Sequence, residues 1–354
     1  MKQHESTRQI LLSHYEKYPL MLLQDIFKFL HQSAFGCEHM VSSLQAATEY
    51  IRKESNDSIP YGNTLIDRLD GNYSRVHLGY LKEGLSADTL GRLFYLSSQT
   101  EDDGKASLEG KLCIVKELIN ENALPFSADE FDKAVSEWKA DGYRAMHHSE
   151  VFRKEYKPAY RVISNRYVPF LPLFAKIDRM LQKGKAVIAI EGSSASGKTT
   201  LGEMLKEIYG CTVFHTDDFF LRPEQRTPER LAEIGGNLDR ERFIEEVLIP
   251  LEEGKNIDYR RFDCSTMTVA PSVTVKPESL VIIEGAYSMH PEFEKHYDLS
   301  VFLDISPRLQ KSRIENRNSP QTAIRFFNEW IPMEQEYFSK TRIKDRCNMS
   351  ISIE

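Results

Sequence analysis

The densest chemistry in this 354-residue chain lies in Gly192-Ser193-Ser194-Ala195-Ser196-Gly197-Lys198-Thr199, followed by Thr200. The stretch fits G-x-x-x-x-G-K-[ST], a spacing in which successive backbone N–H groups and a helix N-terminus face an anion. In that pattern the Lys198 ammonium reaches β- and γ-phosphates, and the Thr199 hydroxyl holds Mg²⁺. Residues 192–200 are therefore the expected binding site for a nucleoside triphosphate. A Gly/Ser-rich loop could match by chance, so the flanks decide.

Those flanks are the elements the motif needs. Ala186-Val187-Ile188-Ala189-Ile190 reads as a buried strand entering the loop. Leu201, Met204, Leu205 and Ile208 follow at helical spacing, and Gly210 supplies a C-terminal stop. Further strands are expected at 211–215, 280–283, 299–303 and 349–353, alternating with helical stretches. Such alternation implies an α/β domain, a P-loop NTPase-type parallel sheet with helices on both faces. Ligands in such sheets collect beyond the carboxyl ends of the strands. Asp217 and Asp218 follow one strand and Glu284 ends another, so both land on the edge that carries the phosphate loop.

Phosphoryl transfer needs a base for the acceptor hydroxyl, metal ligands, and positive charge where the phosphoryl group moves. Asp217 is the expected base, its other use being to cap a loop. Thr199, Asp217 and Glu284 are the expected Mg²⁺ set, Glu284 directly or through water. Ser306-Pro307 reads as a helix start, and Arg313 and Arg317, four apart, share a face of that helix. With Asn318-Ser319-Pro320 and a second helical stretch bearing Arg325, this reads as a closing lid. Its bland alternative is a solvated basic face.

Residues 1–165 read as a mainly α-helical domain, 166–185 as a connecting helix, and 186–354 as the nucleotide domain. Ser86 caps one helix, and Ser127 with Glu130 forms a capping box for another. His31, Cys37 and His39, with His147-His148 later in the chain, could together hold a metal, but their spacing is no familiar ligand set. Between Tyr143 and Tyr167 arginines and lysines alternate with tyrosines. That pattern suits a polar domain junction, or RNA stacking as the sharper alternative. The net charge of −7 argues against general nucleic-acid binding. Five scattered cysteines without C-x-x-C spacing point to a reducing cytoplasm, and neither a signal peptide nor a membrane span is expected.

With the phosphate loop, Thr216-Asp217-Asp218-Phe219-Phe220, Val281-Ile282-Ile283-Glu284-Gly285, the arginine-bearing lid and Trp330-Ile331-Pro332, residues 185–354 resemble the uridine kinase / phosphoribulokinase family. That family includes nicotinamide riboside kinase and bacterial pantothenate kinase. The resemblance implies an ATP- and Mg²⁺-dependent kinase acting on a hydroxyl of a small metabolite, most simply a nucleoside. It implies Asp217 as catalytic base, Lys198, Arg313 and Arg317 around the transferred group, and Glu284 as the magnesium-associated acid. Asp239 would meet the substrate's ribose hydroxyls, and Tyr259 and Arg261 fall on a substrate segment. There the paired Arg260-Arg261 suit an anionic or strongly polar acceptor as well as a neutral nucleoside, so pantothenate, nicotinamide riboside and sugar phosphates are alternatives. An ATP-dependent switch acting through the helical half is the competing function.

Overall fold

Apolar residues at helical spacing form the helices of the first half: α1 (Lys2–Lys17), α2 (Leu23–Phe35), α3 (Leu44–Asn56), α4 (Ala87–Ser98), α5 (Lys105–Asn120), α6 (Ala128–Ala140), α7 (Glu150–Tyr156), which was not expected within the tyrosine-rich stretch, and α8 (Leu171–Leu181). The computed structural model describes residues 2–37, 41–56, 64–99 and 104–353. The chain divides into two compact units, Met1–Asp178 and Arg179–Glu354, with the division inside α8. Ser86 Oγ accepts from Thr89 N at 3.0 Å at the start of α4, and Ser127 Oγ accepts from Glu130 N at 3.5 Å at the start of α6. Phe27, Phe29, Leu30, Val115, Leu118 and Trp138 are buried together in the core of this unit.

A small antiparallel sheet accompanies these helices. Its strands are β1 (Ile66–Arg68), β2 (Tyr73–His77) and β3 (Tyr160–Ser164), in the order β1-β2-β3. β3 lies within the basic, tyrosine-rich stretch, where Tyr143, Arg161 and Tyr167 are buried rather than arrayed on a surface. His31 packs beside the rings of Phe35 and Trp138. His148 is held by Asp25 at 2.9 Å and Tyr160 at 2.6 Å. His39, Asp57, Ser58, Asp102 and Asp103 lie outside the described residues. Among the described residues no group of three His, Cys, Asp or Glu side chains is arranged to hold a metal ion. No helix among them is long and apolar enough to cross a membrane.

The second unit is built on the strands read from their apolar runs. These are β4 (Ala186–Gly192), β5 (Thr212–His215), β10 (Leu280–Glu284), β11 (Leu299–Ile305) and β12 (Met349–Ile353), all parallel in the order β12-β11-β4-β10-β5. The short strands β6 (Ile257–Tyr259), β7 (Phe262–Asp263), β8 (Thr268–Val269) and β9 (Val273–Val275) make two antiparallel ladders between them, β6 with β9 and β7 with β8. Helices α9 (Lys198–Tyr209), α10 (Pro228–Leu231), α11 (Arg240–Phe243), α12 (Ile249–Glu252), α13 (Pro307–Arg317), α14 (Pro320–Arg325), α15 (Ile331–Thr341) and α16 (Ile343–Arg346) complete the unit.

Two π-type turns, Ile244–Leu248 and Phe326–Trp330, sit just ahead of Pro250 and Pro332. A proline there cannot donate to the carbonyl four residues back, and its ring would strike it. A wider turn removes both conflicts, so the chain continues helically.

Candidate active site

β4 is the central strand, and the chain leaves it at Gly192 to form the phosphate loop. Gly192 adopts φ +153°, and a Cβ there would lie 2.6 Å from the Leu303 carbonyl oxygen, so only glycine fits without displacement. Gly197, at φ +100°, turns the chain into α9. Lys198 Nζ donates to the carbonyls of Gly192 at 2.7 Å and Ser193 at 3.1 Å. Behind the loop, Arg313 Nη1 donates to Ala195 O at 3.1 Å, and Gln310 Nε2 donates to Ser194 O at 3.0 Å. Arg313 thus braces the loop's carbonyls from α13, while Arg317 is exposed on the same helix.

Pairing in register sets Glu284 opposite both Ile190 and His215, which puts its carboxylate beside the start of α9. Glu284 Oε1 accepts from Thr199 Oγ1 at 3.0 Å and meets His215 Nδ1 at 2.5 Å. That bond to Glu284 is the main cause that raises the His215 imidazole above its ordinary value. Asp217 lies in the turn after β5 (Thr216–Phe219) and reaches solvent. Crowding by the surrounding cleft raises its carboxyl, Glu284 pushes the same way, and Lys198 opposes them. The site therefore brings a lysine, a hydroxyl and two carboxylates to one edge.

The neighbouring wall is tied together by Arg242. Its Nη2 donates to Asp218 O at 3.0 Å and its Nη1 to Arg260 O at 2.5 Å, while Nε meets Asp239 Oδ2 at 3.3 Å. The guanidinium carbon stands 4.4 Å from the Phe219 ring centroid. Asp239 is buried at the N-cap of α11 and also accepts from Gln225 Nε2 at 3.0 Å, so the bonds it makes are to the wall itself. Tyr259 is buried as well, and its hydroxyl accepts from Arg261 Nη2 at 2.9 Å. Arg261 is largely exposed and faces Asp218 at 3.6 Å.

Residues 187–319 match the model of the Phosphoribulokinase / Uridine kinase family. The matched residues all lie in the second unit. Over 167 residues the chain is 25% identical to Uridine kinase-like protein 4 of Arabidopsis thaliana, covering 43% of this chain and 35% of that protein. The chain thus spans about a third of the length of this curated relative. Among solved structures, one described as a possible uridine kinase from Bacillus stearothermophilus is similar over 51% of this chain and 98% of that one, with 22% identity and a TM-score of 0.39. A shikimate kinase from Bacteroides thetaiotaomicron is similar over 47% of this chain and 85% of its own, at 15% identity and a TM-score of 0.24.

Two carboxylates of this unit escaped the sequence reading. Glu191, fully buried beside Gly192, accepts from Gly192 N at 3.0 Å and from Met289 N and Tyr337 Oη at 3.1 Å. Burial pushes its carboxyl up to about 7, against the pull of Lys198 and these donors. Glu334, on α15, accepts from Ser194 N at 2.9 Å and Ser194 Oγ at 2.6 Å. A charged residue at the end of an apolar strand was the available signal for Glu191. For Glu334 there was only its spacing from Tyr337, one turn on, which is buried with it.

Proposed function

We propose that the C-terminal unit transfers the γ-phosphoryl group of ATP to a hydroxyl of a small, nucleoside-like metabolite. One observation carries this reading: the phosphate loop, the Thr199–Glu284 hydrogen bond and Asp217 all stand at the carboxyl edge of one parallel sheet. The donor set fits a magnesium nucleotide, because hydroxyl and carboxylate oxygens, which suit a hard cation, meet at 3.0 Å beside a loop whose first glycine has no room for a Cβ. Thr199 and Glu284 would hold Mg²⁺, with Asp217 nearby, and the ion would supply neutralisation of charge on the phosphate oxygens.

The roles of the side chains follow from their places. Lys198 holds the β- and γ-phosphates, and the loop amides fix their orientation. Asp217 takes the acceptor's hydroxyl proton as that oxygen bonds to the γ-phosphorus and the bond to ADP breaks. Its raised carboxyl makes it a stronger base than a free aspartate, and Lys198 favours the ionised form. Arg313 acts as a positioning residue for the loop, and Arg317 is free to approach the phosphates from α13. The wall of Asp218, Tyr259 and Arg261 supports an acceptor with polar or anionic groups, with Asp239 fixing the wall through Arg242 and Gln225. The scattered cysteines favour a reducing cytoplasm as the compartment.

The test is a screen of the purified chain with ATP, Mg²⁺ and a panel of uridine, cytidine, nicotinamide riboside, pantothenate and sugar phosphates. Mass spectrometry should find one acceptor gaining a phosphoryl group, and Lys198→Ala should abolish the gain. Slow ATP hydrolysis indifferent to every acceptor would overturn the kinase reading in favour of a nucleotide-dependent switch.

A further inference from the structure

The N-terminal unit contains a cavity of about 830 Å³ lined from α2, α3, α4 and β3, a volume in the range that holds small-molecule ligands. Four basic side chains line it, Lys28, Arg153, Lys157 and Arg161, against the single carboxylate of Glu54. That local excess runs against a chain whose net charge is −7. Lys28 and Arg161 are more than nine-tenths buried, whereas Arg153 and Lys157 are exposed.

The two buried cations are incompletely satisfied. Arg161 Nη1 donates to Tyr160 O and Nη2 to Glu54, each at 2.8 Å, but among the described residues its buried Nε has no partner. Lys28 Nζ donates to the Met146 carbonyl at 2.8 Å, and among the described residues no carboxylate lies within ion-pair distance of it. Lys111 shows what a structural buried lysine looks like in this same unit. Its ammonium meets Ser33 O, Ser33 Oγ and Asp70 O within 3.3 Å and the Asp70 carboxylate at 3.5 Å. A buried ammonium with one neutral acceptor keeps a large desolvation cost that an anion would offset. Burial, reinforced by Arg75 and opposed by the more distant Asp25 carboxylate, holds the Lys28 ammonium down to about 8.

The cavity's remaining character is aromatic. The Arg161 guanidinium carbon stands 4.9 Å from the Tyr50 ring centroid and 5.8 Å from that of Phe94, and both rings line the space. Planar cations and aromatic faces side by side suit a flat ring carrying negative charge.

We propose that this cavity binds a small organic anion of mononucleotide size, its phosphate or carboxylate held by Lys28 and Arg161 and its ring packed against Tyr50 and Phe94. Arg153 and Lys157 draw the anion in from solvent, an effect that salt screens. This site is built from residues of the N-terminal unit and does not depend on the kinase reading.

Calorimetric titration of the full chain carrying Lys198→Ala, which disables the phosphate loop, tests the proposal with UMP, AMP, nicotinate, inorganic phosphate and uridine as probes. The expected result is one saturable site for UMP, AMP or nicotinate, with uridine silent. Binding of the nucleotides alone identifies a phosphate site, and of nicotinate alone a carboxylate site. Lys28→Met should weaken the binding at least tenfold. The surface pair Arg153→Ala and Lys157→Ala, which leaves the core untouched, should weaken it several-fold and flatten its salt dependence. Absence of saturable binding by all three organic anions would overturn the proposal. So would binding that survives both Lys28→Met and the surface pair, or that appears only when Lys198 is intact.

Discussion

Replacing Gly192 by alanine tests the loop geometry more sharply than any charge deletion. The new Cβ would stand 2.6 Å from the Leu303 carbonyl oxygen and 2.9 Å from Ser196 Oγ, on a residue at φ +153°. Leu303 cannot retreat, because it is the register partner of Gly192 in the β11–β4 ladder at the middle of the sheet. Backbone strain of ~1–3 kcal/mol and overpacking of ~1–3 kcal/mol combine to about 2–6 kcal/mol, a large share of the ~5–15 kcal/mol that keeps a domain folded. Each kcal/mol should lower the unfolding midpoint of a unit this size by roughly 2–4 °C. Any relief must come from moving the loop, and a shift near an ångström costs on the order of 10²-fold in transfer rate. Gly202→Ala, one turn into α9, is the matched control. Its Cβ would meet Glu284 Cγ and Val213 Cγ1 at an ordinary 3.5 Å, so it should be neutral or slightly stabilising. Calorimetric melting of the full chain with and without ATP reads both effects. A Gly192→Ala protein that melts with the wild type and binds ATP equally well would refute the reasoning.

Asp217→Asn should lower kcat by about 10²–10⁴-fold while leaving the KM for ATP within a few-fold, and normal turnover would remove Asp217 from the role of base. The pH profile of kcat/KM should gain activity through an acid limb displaced upward from that of a free aspartate, because desolvation in the cleft and Glu284 raise Asp217 against the pull of Lys198. Glu284→Gln, which removes the like charge, should move that limb to lower pH in the residual activity. In the N-terminal unit, burial alone would raise Asp25 and Asp67. The bonds from His148 and Ser149 to Asp25, and from His77 and Lys17 to Asp67, nevertheless hold both carboxyls below their ordinary value. Depressed carboxyls contribute stability above their unfolded value of about 4 and lose it as pH falls below that. Urea unfolding followed at Trp138 should therefore weaken from pH 5 toward pH 3, and Asp67→Asn should flatten the dependence. An unchanged midpoint over that range would refute the assignment.

The sheet edge that carries the glycine-rich loop was legible because its information is local. A loop motif, apolar strands short enough to be read singly, and acids placed just after them needed only sequence order and the rule that parallel sheets gather ligands at one edge. What stayed hidden was set by partners distant in the chain. β3 pairs with β2 from across the N-terminal unit, so its residues looked like a polar domain junction until the pairing buried Arg161. Arg313 was read as a charge for phosphates, whereas in the structure its guanidinium meets the loop's carbonyls. Helical spacing gives the face on which a side chain lies and not the atom it meets. Asp239 was expected among the ribose contacts, but the pattern could not reveal that Arg242 and Gln225 occupy its oxygens.

The Arg242 guanidinium has a bearing on how this wall can change over time. One side chain joins the Asp218 turn, the Arg260 strand end and the α11 cap, so three separated segments share a single fastening. Residues linked through a common partner do not vary independently, and their substitutions couple. A lineage or a designer altering this pocket one position at a time would therefore meet steps that fail alone and succeed only in company. Variation in this wall should arrive as correlated sets, with Arg242 the last residue to go.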